Sequence, residues 1–451
     1  MIARAFGFAA ALSLALLAAL PGRAETLGDA LAEAYRHSGL LEQNRALLRA
    51  ADEDVAAAVA AMRPVVSYAV RSSYLDLTDT TTTNFDLSAT LVLFDFGRSQ
   101  LRREIARENV LSLRQALIGV EQQVLLRAVS AYMNVRRTAE IVRLRENNVK
   151  LIAQELQAVK DRFEVGEVTR TDVSIAEARL AGSKSALAVA RGNLTRAREE
   201  YRAAIGRYPG KLSSPPRAPA TADSLEAARA VARKRHPDML QAQRAVKIAE
   251  LNIAMAEAAR KPVLSGSALF SLDQDRNDTR SVGITLSGPI YQGGALVSAI
   301  RKAAAQRDAA RAGLHLARLA VDQNVGNAWA QLTVAEAAVS ASKEQIRAAK
   351  VALRGVREEA RLGSRTTLDV LNAEQELLDA EAGMVSASSD RYVAVYNLLA
   401  AMGLLTAEHL KLGVPVYDPQ AYYDAVKSAP LHGVSPQGQK LDRVLDALGK
   451  N

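Results

Sequence analysis

Two stretches of this sequence place a glycine and an aspartate at the same spacing. Gly166 is followed six residues later by Asp172, and Gly363 by Asp369, with a Val after each Asp. An Asp just after a glycine turn suits the start of a helix, because its carboxylate accepts hydrogen bonds from free backbone amides. The spacing therefore predicts two equivalent turns, where the available chemistry is hydrogen bonding and ion pairing of charged side chains.

No other part of the sequence brings catalytic or metal-binding residue types together. The chain has no Cys, so it lacks disulfides and thiolate metal sites, and its five His show no metal-ligand spacing. The Ser-x-x-Lys pattern of Ser340 and Lys343 lies inside a continuous predicted helix. We therefore expect no enzyme activity, no cofactor and no metal site.

The two glycine–aspartate stretches belong to a tandem repeat with an offset of about 197 residues. We divide the chain into a signal peptide (1–24), a first repeat (25–223) that ends in a Pro-rich linker, a second repeat (224–412) and a tail (413–451). The tail is rich in Gly, Pro and Ser, so part of it is expected to be disordered. A short helix is predicted at 441–448.

The amino terminus predicts export from the cytoplasm. Arg4 precedes an apolar run from Ala9 to Leu20, and Gly22 and Ala24 are the small residues expected at a cleavage site. A membrane-anchoring helix is the alternative interpretation. No later segment reaches the roughly 18 uncharged apolar residues of a spanning helix, so any membrane crossing would need β-strands.

The charge distribution argues against a nucleic-acid-binding protein. The chain has 451 residues and a formal net charge of +9, but its basic residues are spread among acidic ones along the predicted helices. Such mixing is typical of solvated helix faces. Hydrophobic residues make up 49% of the chain and aromatic residues only 4%, which indicates a core built mainly from aliphatic side chains.

Two segments of alternating polarity follow the helical start of each repeat, which makes four in all. In the clearest, Phe85 to Leu93 and Val282 to Leu286, apolar residues alternate with polar ones, and a weaker alternating segment precedes each. About ten residues is the length of a transmembrane β-strand. Polar loops are predicted at Asp76 to Asn84 and Asp273 to Arg280. Two soluble hairpins packed on helices are the alternative.

The ends of these strands carry aromatic residues and glycines. Phe94, Phe96 and Tyr291 are predicted to lie at a membrane interface, as in the aromatic girdles of membrane barrels. Gly97 and Gly293 are expected to let the chain turn from strand into helix.

Long helices follow in both repeats. Ser99 to Phe163 and Ala295 to Leu362 show apolar residues at spacings of three and four, which is typical of a coiled-coil seam. Past each glycine turn the chain returns as a helix of about 35 residues. The return helices carry one row of large and one row of small apolar residues, so each is expected to pack on neighbours on both sides.

Four strands from one chain cannot close a barrel, and open strand edges are not tolerated in lipid. Identical chains would therefore share one barrel, which the long helices would extend as an α-helical tube. Two chains would supply eight strands and three would supply twelve. The residues themselves leave that choice open.

Together these features resemble the TolC family of outer-membrane efflux and secretion channels. The likeness covers roughly Glu25 to Gly413, and its most specific parts are Gly288 to Gly294, Phe163 to Val173 and Leu362 to Leu371. The resemblance implies a mainly α fold with a transmembrane β-barrel portion. Long antiparallel coiled-coil helices would form an α-barrel in the periplasm, and four β-strands per chain would contribute to a shared trimeric twelve-stranded barrel in the outer membrane of a Gram-negative bacterium.

The resemblance also implies a function and its partners. The homotrimer would be the passive exit duct of tripartite type I secretion or multidrug efflux, seated in outer-membrane lipid. A periplasmic adaptor (membrane fusion) protein and an inner-membrane ABC or resistance-nodulation-division transporter would complete the machine. A soluble periplasmic coiled-coil scaffold or adaptor is the alternative, but a scaffold does not need four alternating strands.

A closed gate at the periplasmic tips is implied in the same way. Asp172, Arg365 and Asp369 match gate positions of the family, so we expect Arg365 to pair with Asp172 on an adjacent helix pair. Copies of Asp369 would form a cation-favouring ring whose mutual repulsion raises their pKa values. Helix capping is the alternative role of both Asp residues. Ala360 stands where the family has a gate Tyr, and Asn372 stands where the family has a second acidic residue. The gate of this protein should therefore contain fewer bonds.

The turns at the two tips are the expected contacts of the adaptor, and an ordinary helix-turn glycine is the alternative. The six residues concerned are Val165, Gly166, Glu167, Leu362, Gly363 and Ser364.

Overall fold

The computed structural model describes residues 24–76, 79–430 and 443–444. The predicted signal peptide, except for its last residue, lies outside the described residues. So do most of the predicted helix at 441–448 and, in the tail for which disorder is expected, residues 431–442 and 445–451. Among the residues described, none of the helices combines the length and apolar character that a membrane crossing requires.

The order of elements in the first half is helix pair, strand pair, long helix and return helix. These elements are α1 Leu27–His37, α2 Gly39–Ala60, β1 Val65–Leu75, β2 Thr80–Phe94, α3 Arg98–Glu164 and α4 Arg170–Ile205.

The second half repeats that order and adds a short helix at its end. These elements are α5 Leu225–Arg235, α6 Pro237–Ala258, β3 Val263–Asp273, β4 Asp278–Ser287, α7 Ala295–Arg361, α8 Thr367–Ala401 and α9 Pro419–Val426. The long helices α3 and α7 have 67 residues each, so each is about 100 Å long.

The four predicted strands form one antiparallel sheet in the order β1-β2-β3-β4, so β2 and β3 join the two halves. Cross-strand partners align the alternating apolar residues into rows on one face. One such row, called the apolar row below, contains Val66, Ala89, Ala268 and Val282. The other face carries Ser, Thr and charged residues, because successive side chains of a strand point to opposite sides.

The predicted loops at the strand tips are longer than the observed ones. β2 already begins at Thr80, so the expected loop up to Asn84 is wrong for most of its length. Ser73 Oγ and Thr82 Oγ1 lie 2.9 Å apart across β1 and β2. A Thr run fits a strand because β-branched side chains suit the pleated backbone. In the second hairpin β3 likewise extends to Asp273 and β4 begins at Asp278.

The turns from strand into helix are equivalent, but not at the pair of glycines that the sequence suggested. Gly97 and Gly294 occupy the amino-terminal caps of α3 and α7 with φ of 87° and 85°. The predicted partner, Gly293, has φ 57° and corresponds instead to Phe96, at φ 53°. The left-handed conformation at Gly97 and Gly294 is one that glycine adopts without steric cost.

The long helices form a layer in the lateral order α4, α3, α8, α7, with the short helices packed on it. Its main core contains Leu125, Tyr132 and Tyr201. The row of small residues on α4 is buried at Ala176, Ala190 and Ala197, while the row of large residues is mostly half-buried. The two-sided packing predicted for the return helices is confirmed for α8, which packs on both α3 and α7, whereas α4 lies at the edge of the layer and packs mainly on α3.

The tail contains a helix that the sequence analysis missed. Asp418 caps α9 by accepting from the Gln420 amide at 2.8 Å, and Pro419 stands at the first helical position, where its missing N–H costs nothing. Tyr422 and Val426 are buried against α2 and its surroundings. This segment is therefore ordered by long-range packing, although its composition suggested irregular structure.

Candidate functional site

The two tips share one backbone plan. Gly166 has φ 79° and Gly363 has φ 77°, and each ends the turn that follows a long helix. Val165 and Leu362, the residues just before these glycines, are largely exposed. The tips therefore present apolar side chains to their surroundings, in the places predicted for adaptor contacts.

Both tip aspartates cap the returning helices. At the first tip the Asp172 amide donates to Thr169 Oγ1 at 3.3 Å, while Asp172 Oδ2 accepts from the Thr169 amide at 2.9 Å and its hydroxyl at 2.7 Å. Thr366 and Asp369 repeat the arrangement at the second tip. These are capping boxes, which satisfy two free amides reciprocally.

Hydrogen bonds from threonine lower the pKa of both carboxyls. The Thr169 hydroxyl, followed by its amide, lowers the pKa of Asp172. The Thr366 amide, followed by its hydroxyl, lowers the pKa of Asp369. Within one chain the pKa of Asp369 is therefore lowered, whereas repulsion in a ring of copies is expected to raise it.

Arg365 forms an ion pair with a residue of its own tip. Its Nε donates to Glu359 Oε2 at 2.8 Å, and this hydrogen bond raises the pKa of Arg365. Within the described ranges Arg365 and Asp172 form no ion pair with each other. Sequence reasoning missed Glu359, although it lies only six residues before Arg365.

Asn372 connects the two helix pairs. Its Oδ1 accepts from Arg179 Nη2 at 2.7 Å, so the bond joins α8 to α4. Both side chains are mainly exposed, so the link is accessible to water. A polar residue at position 372 thereby contributes to the tip, but by accepting from a guanidinium rather than by adding a carboxylate.

A second missed pair lies one to two turns above the tips. Arg357 Nη2 donates to Glu374 Oε1 at 2.5 Å, and Glu374 is only 5% exposed. At the repeat offset, Lys160 and Glu177 are the counterparts of this pair, and they lie 3.0 Å apart with about half of each side chain exposed. Burial raises the pKa of Glu374, although its bond to Arg357 opposes the rise. Aligning the repeats would have revealed both pairs.

The predicted interface aromatics lie where the strands meet the long helices. Phe94 and Phe96 have ring centroids 4.6 Å apart, and Lys261 Nζ lies 5.3 Å from the Phe96 centroid. Tyr291 is 84% exposed. Lys261 thereby places a cation over the Phe96 ring.

The described residues contain no cluster of three or more potential metal ligands. The candidate site therefore consists of capping boxes, ion pairs and an inter-helix hydrogen bond, which together can fix or release the positions of the tips.

Comparison with known proteins matches most of this chain to one family. The model described as "Outer membrane efflux protein" matches residues 30–207 and 229–404. The outer membrane efflux protein BepC of Brucella suis is 36% identical over 425 residues, which cover 92% of this chain and 93% of that protein. The outer membrane protein TolC of Escherichia coli is 26% identical over 350 residues, 73% of this chain and 71% of that protein.

A solved structure shows the same fold. The outer membrane protein VceC of Vibrio cholerae superposes with a TM-score of 0.71 at 19% sequence identity, covering 84% of this chain and 96% of that one. The order of helices and strands described above is therefore shared with a protein of low sequence identity.

Proposed function

This chain belongs to the outer membrane efflux protein family, whose members are channels rather than enzymes, and from that premise we propose that three copies form a passive exit duct. The family membership confirms the resemblance to TolC-like proteins and the outer-membrane location. In the proposed trimer each copy contributes four strands to a twelve-stranded barrel. The long helices continue that barrel as a tube into the periplasm.

The main support for this proposal is the four-stranded sheet, which has two open edges and two unlike faces. β1 and β4 pair with a strand on one side only. In lipid each unpaired backbone group costs several kcal/mol, so the edges would pair with β4 and β1 of neighbouring copies. The apolar row would face lipid, and the polar face, where Ser67 Oγ and Ser88 Oγ lie 2.9 Å apart, would face a water-filled lumen.

The proposed gate lies at the tips. In the assembled closed duct Arg365 would reach Asp172 of an adjacent helix pair, and copies of Asp369 would surround the axis. Since Thr366 lowers the pKa of Asp369 in one chain, a ring of copies would retain negative charge even when repulsion raises that pKa. The Arg179–Asn372 bond would hold the two helix pairs together in the closed form.

The exposed turns at Val165 to Glu167 and Leu362 to Ser364 would receive a periplasmic adaptor, which joins the duct to an inner-membrane ABC or resistance-nodulation-division transporter. The name of the Brucella relative, outer membrane efflux protein BepC, supports efflux. The sequence contains no Cys that could carry a lipid, which supports the secretion-type branch of the family. Export by the parent strain and by a deletion strain would separate drug efflux from protein secretion.

The duct is tested by reconstitution. We expect a heat-resistant oligomer in the outer-membrane fraction and ion conductance in planar lipid bilayers. A monomer that fractionates with soluble periplasmic proteins and does not conduct would refute the duct and favour a scaffold.

The gate is tested on the same preparation. Arg365→Ser and Asp172→Ala should each raise conductance and antibiotic leakage severalfold, because each removes one partner of the closing pair. Arg361→Ser is the matched control, since Arg361 pairs with Glu358 on the same tip at 3.1 Å and has no proposed role in closure. Parental conductance in both gate variants would show that closure depends on other residues.

A further inference from the structure

A groove far from the tips carries a concentration of positive charge that the exit duct does not require. It has a volume of about 890 Å³ and lies between α3, α8, the end of α4 and the linker after α4. On α3 it begins near Met133 and ends at Arg143, so more than twenty residues, or roughly 30 Å, separate it from the tip.

The linker forms a fixed wall of this groove. Tyr132 donates its hydroxyl to the Ser213 carbonyl at 2.8 Å, and Tyr392 donates to the Pro216 carbonyl at 3.0 Å. Burial raises the pKa of both phenols, so they remain protonated donors at neutral pH. Because α3 and α8 each hold the linker by one such bond, the groove is formed before any ligand arrives.

The charges lining the groove are unbalanced. Among the described residues that line it, Glu140 is the only carboxylate, and it is already paired with Arg143. Arg136 and Arg137 bond to neighbouring protein groups. Four further cationic side chains have no hydrogen bond or ion pair within the part of the chain that the structure describes: Arg198, Lys211, Arg217 and Arg391. Unneutralised cations of one sign in a concave surface attract and concentrate anions.

Apolar side chains accompany these cations. Met133, Leu194 and Met384 line the same groove, together with Pro215 and Pro216. A purely ionic ligand such as polyphosphate would use only the cations. A peptide with both carboxylates and aliphatic side chains would use both sets of groups, because Met side chains adapt to varied apolar partners.

We propose that this groove binds an extended acidic peptide segment of a partner protein, rich in Glu or Asp with interspersed aliphatic residues. The tail of this chain lacks the required charge, because residues 431–451 carry Lys440, Arg443 and Lys450 against Asp442 and Asp446. Most of the groove is lined by α3, α8 and the linker, and only Leu194 and Arg198 come from α4 at the edge of the helical layer.

The test measures binding of a fluorescein-labelled peptide of alternating Glu and Leu to the full mature chain in detergent, by fluorescence anisotropy. Arg198→Gln/Arg217→Gln/Arg391→Gln should weaken binding by about tenfold or more, because three charge contacts are lost. The matched control is Arg301→Gln/Lys302→Gln/Lys343→Gln, which removes the same charge from exposed positions of α7 outside the groove. The control should bind like the parent.

Three outcomes would overturn the proposal. They are no saturable binding to the parent, equal weakening by both triple variants, and displacement of the peptide by inorganic polyphosphate at equal charge concentration. The second would indicate nonspecific attraction to the net charge, and the third a general anion site. Support for the peptide also requires that a Gln-Leu peptide and a poly-Glu peptide each bind more weakly than the Glu-Leu peptide.

Discussion

Each half of this protein has a carboxylate on its second short helix and an arginine on its long helix at equivalent positions. The two carboxylates differ in how far they are buried. In the second half Glu250 Oε1 and Arg311 Nη2 lie 3.0 Å apart, and about half of each side chain is exposed. In the first half the equivalent residues are Asp52 and Arg114. Asp52 is fully buried, and neither of its carboxylate oxygens has a hydrogen-bond partner among the described residues.

The difference arises from α9, which covers only the first half. Arg114 donates to Gln420 Oε1 at 2.7 Å and to the Pro419 carbonyl at 3.3 Å, and it lies over the Tyr423 ring. Its guanidinium therefore bonds to the carboxy-terminal segment, and among the described residues it makes no hydrogen bond to Asp52. Where the second half has a solvated ion pair, the first half therefore has a buried carboxyl, and the neighbouring arginine bonds to the α9 segment instead.

The tips show the same contrast on a smaller scale. Lys160 and Glu177 form an exposed pair at the first tip, whereas at the second tip Glu374 is buried and depends on Arg357. The repeat therefore places similar charged residues at these equivalent positions, but burial decides how much each of them contributes. Exposed pairs are usually worth less than about 1 kcal/mol, whereas a buried charge without a partner is strongly destabilising.

The largest expected effect comes from Asp52→Asn. Burial raises the pKa of Asp52 to about 7, with Arg114 opposing the rise. A raised pKa in the folded state means stabilisation at low pH that is lost as pH rises from about 4 to about 7. Asp52→Asn should therefore stabilise the protein above pH 7, by up to about 4 kcal/mol, and have little effect at acid pH.

Urea unfolding of the detergent-solubilised protein at several pH values between about 5 and 8.5 checks this. Glu250→Gln is the matched control in the second half, and it should change the unfolding midpoint little at any pH. If the effect of Asp52→Asn on the unfolding midpoint does not change with pH, or if Glu250→Gln shows the same dependence on pH, the contrast between the halves is wrong.

Arg357→Ala should have the next largest effect. It leaves the buried Glu374 carboxylate without its partner, which we expect to cost about 2 kcal/mol because Arg357 itself is partly exposed. Lys160→Ala, its counterpart, should cost less than about 0.5 kcal/mol. Thermal unfolding of both variants measures the difference.

Acid should partly rescue the Arg357 variant. Because burial raises the pKa of Glu374, its carboxyl becomes neutral as pH falls, and the penalty for the missing guanidinium shrinks. Equal destabilisation by the two substitutions, or a penalty that grows in acid, would contradict the assignment of Glu374 as the buried member.

The smallest effects concern the caps, where the two tips should behave alike. Thr169→Ala and Thr366→Ala each remove the hydroxyl of a capping box, and each should destabilise the start of its helix by about 1 kcal/mol. Amide hydrogen exchange over the first turns of α4 and α8 measures both. Thr→Ser at either position keeps the hydroxyl and is the control.

Equal exchange at the two tips would sharpen the comparison, because the tips would then differ chiefly through Arg365 and its counterpart Val168. Markedly unequal exchange would show that packing beyond the capping boxes already distinguishes them.

The local features of this protein could be predicted from its sequence. The four strands, the long helices, the glycine turns and the capping role of Asp172 and Asp369 depend on residues within a few positions of one another. Polarity of period two, apolar spacings of three and four, and the Gly–Asp spacing are therefore sufficient to predict them. The repeat offset also predicted the equivalence of the two tips, although it paired Gly97 with Gly293 instead of Gly294.

Only the tertiary structure decided which charged groups meet. Arg365 has several acidic residues within reach along the chain, and its choice of Glu359 depends on side-chain geometry at the tip. Arg179 and Asn372 are 193 residues apart, and Arg114 and Gln420 are 306 apart. The burial of Asp52 depends on the docking of α9. The contacts between residues far apart in the chain are set by the packing of distant helices, which local periodicity does not encode, and by the water that this packing removes.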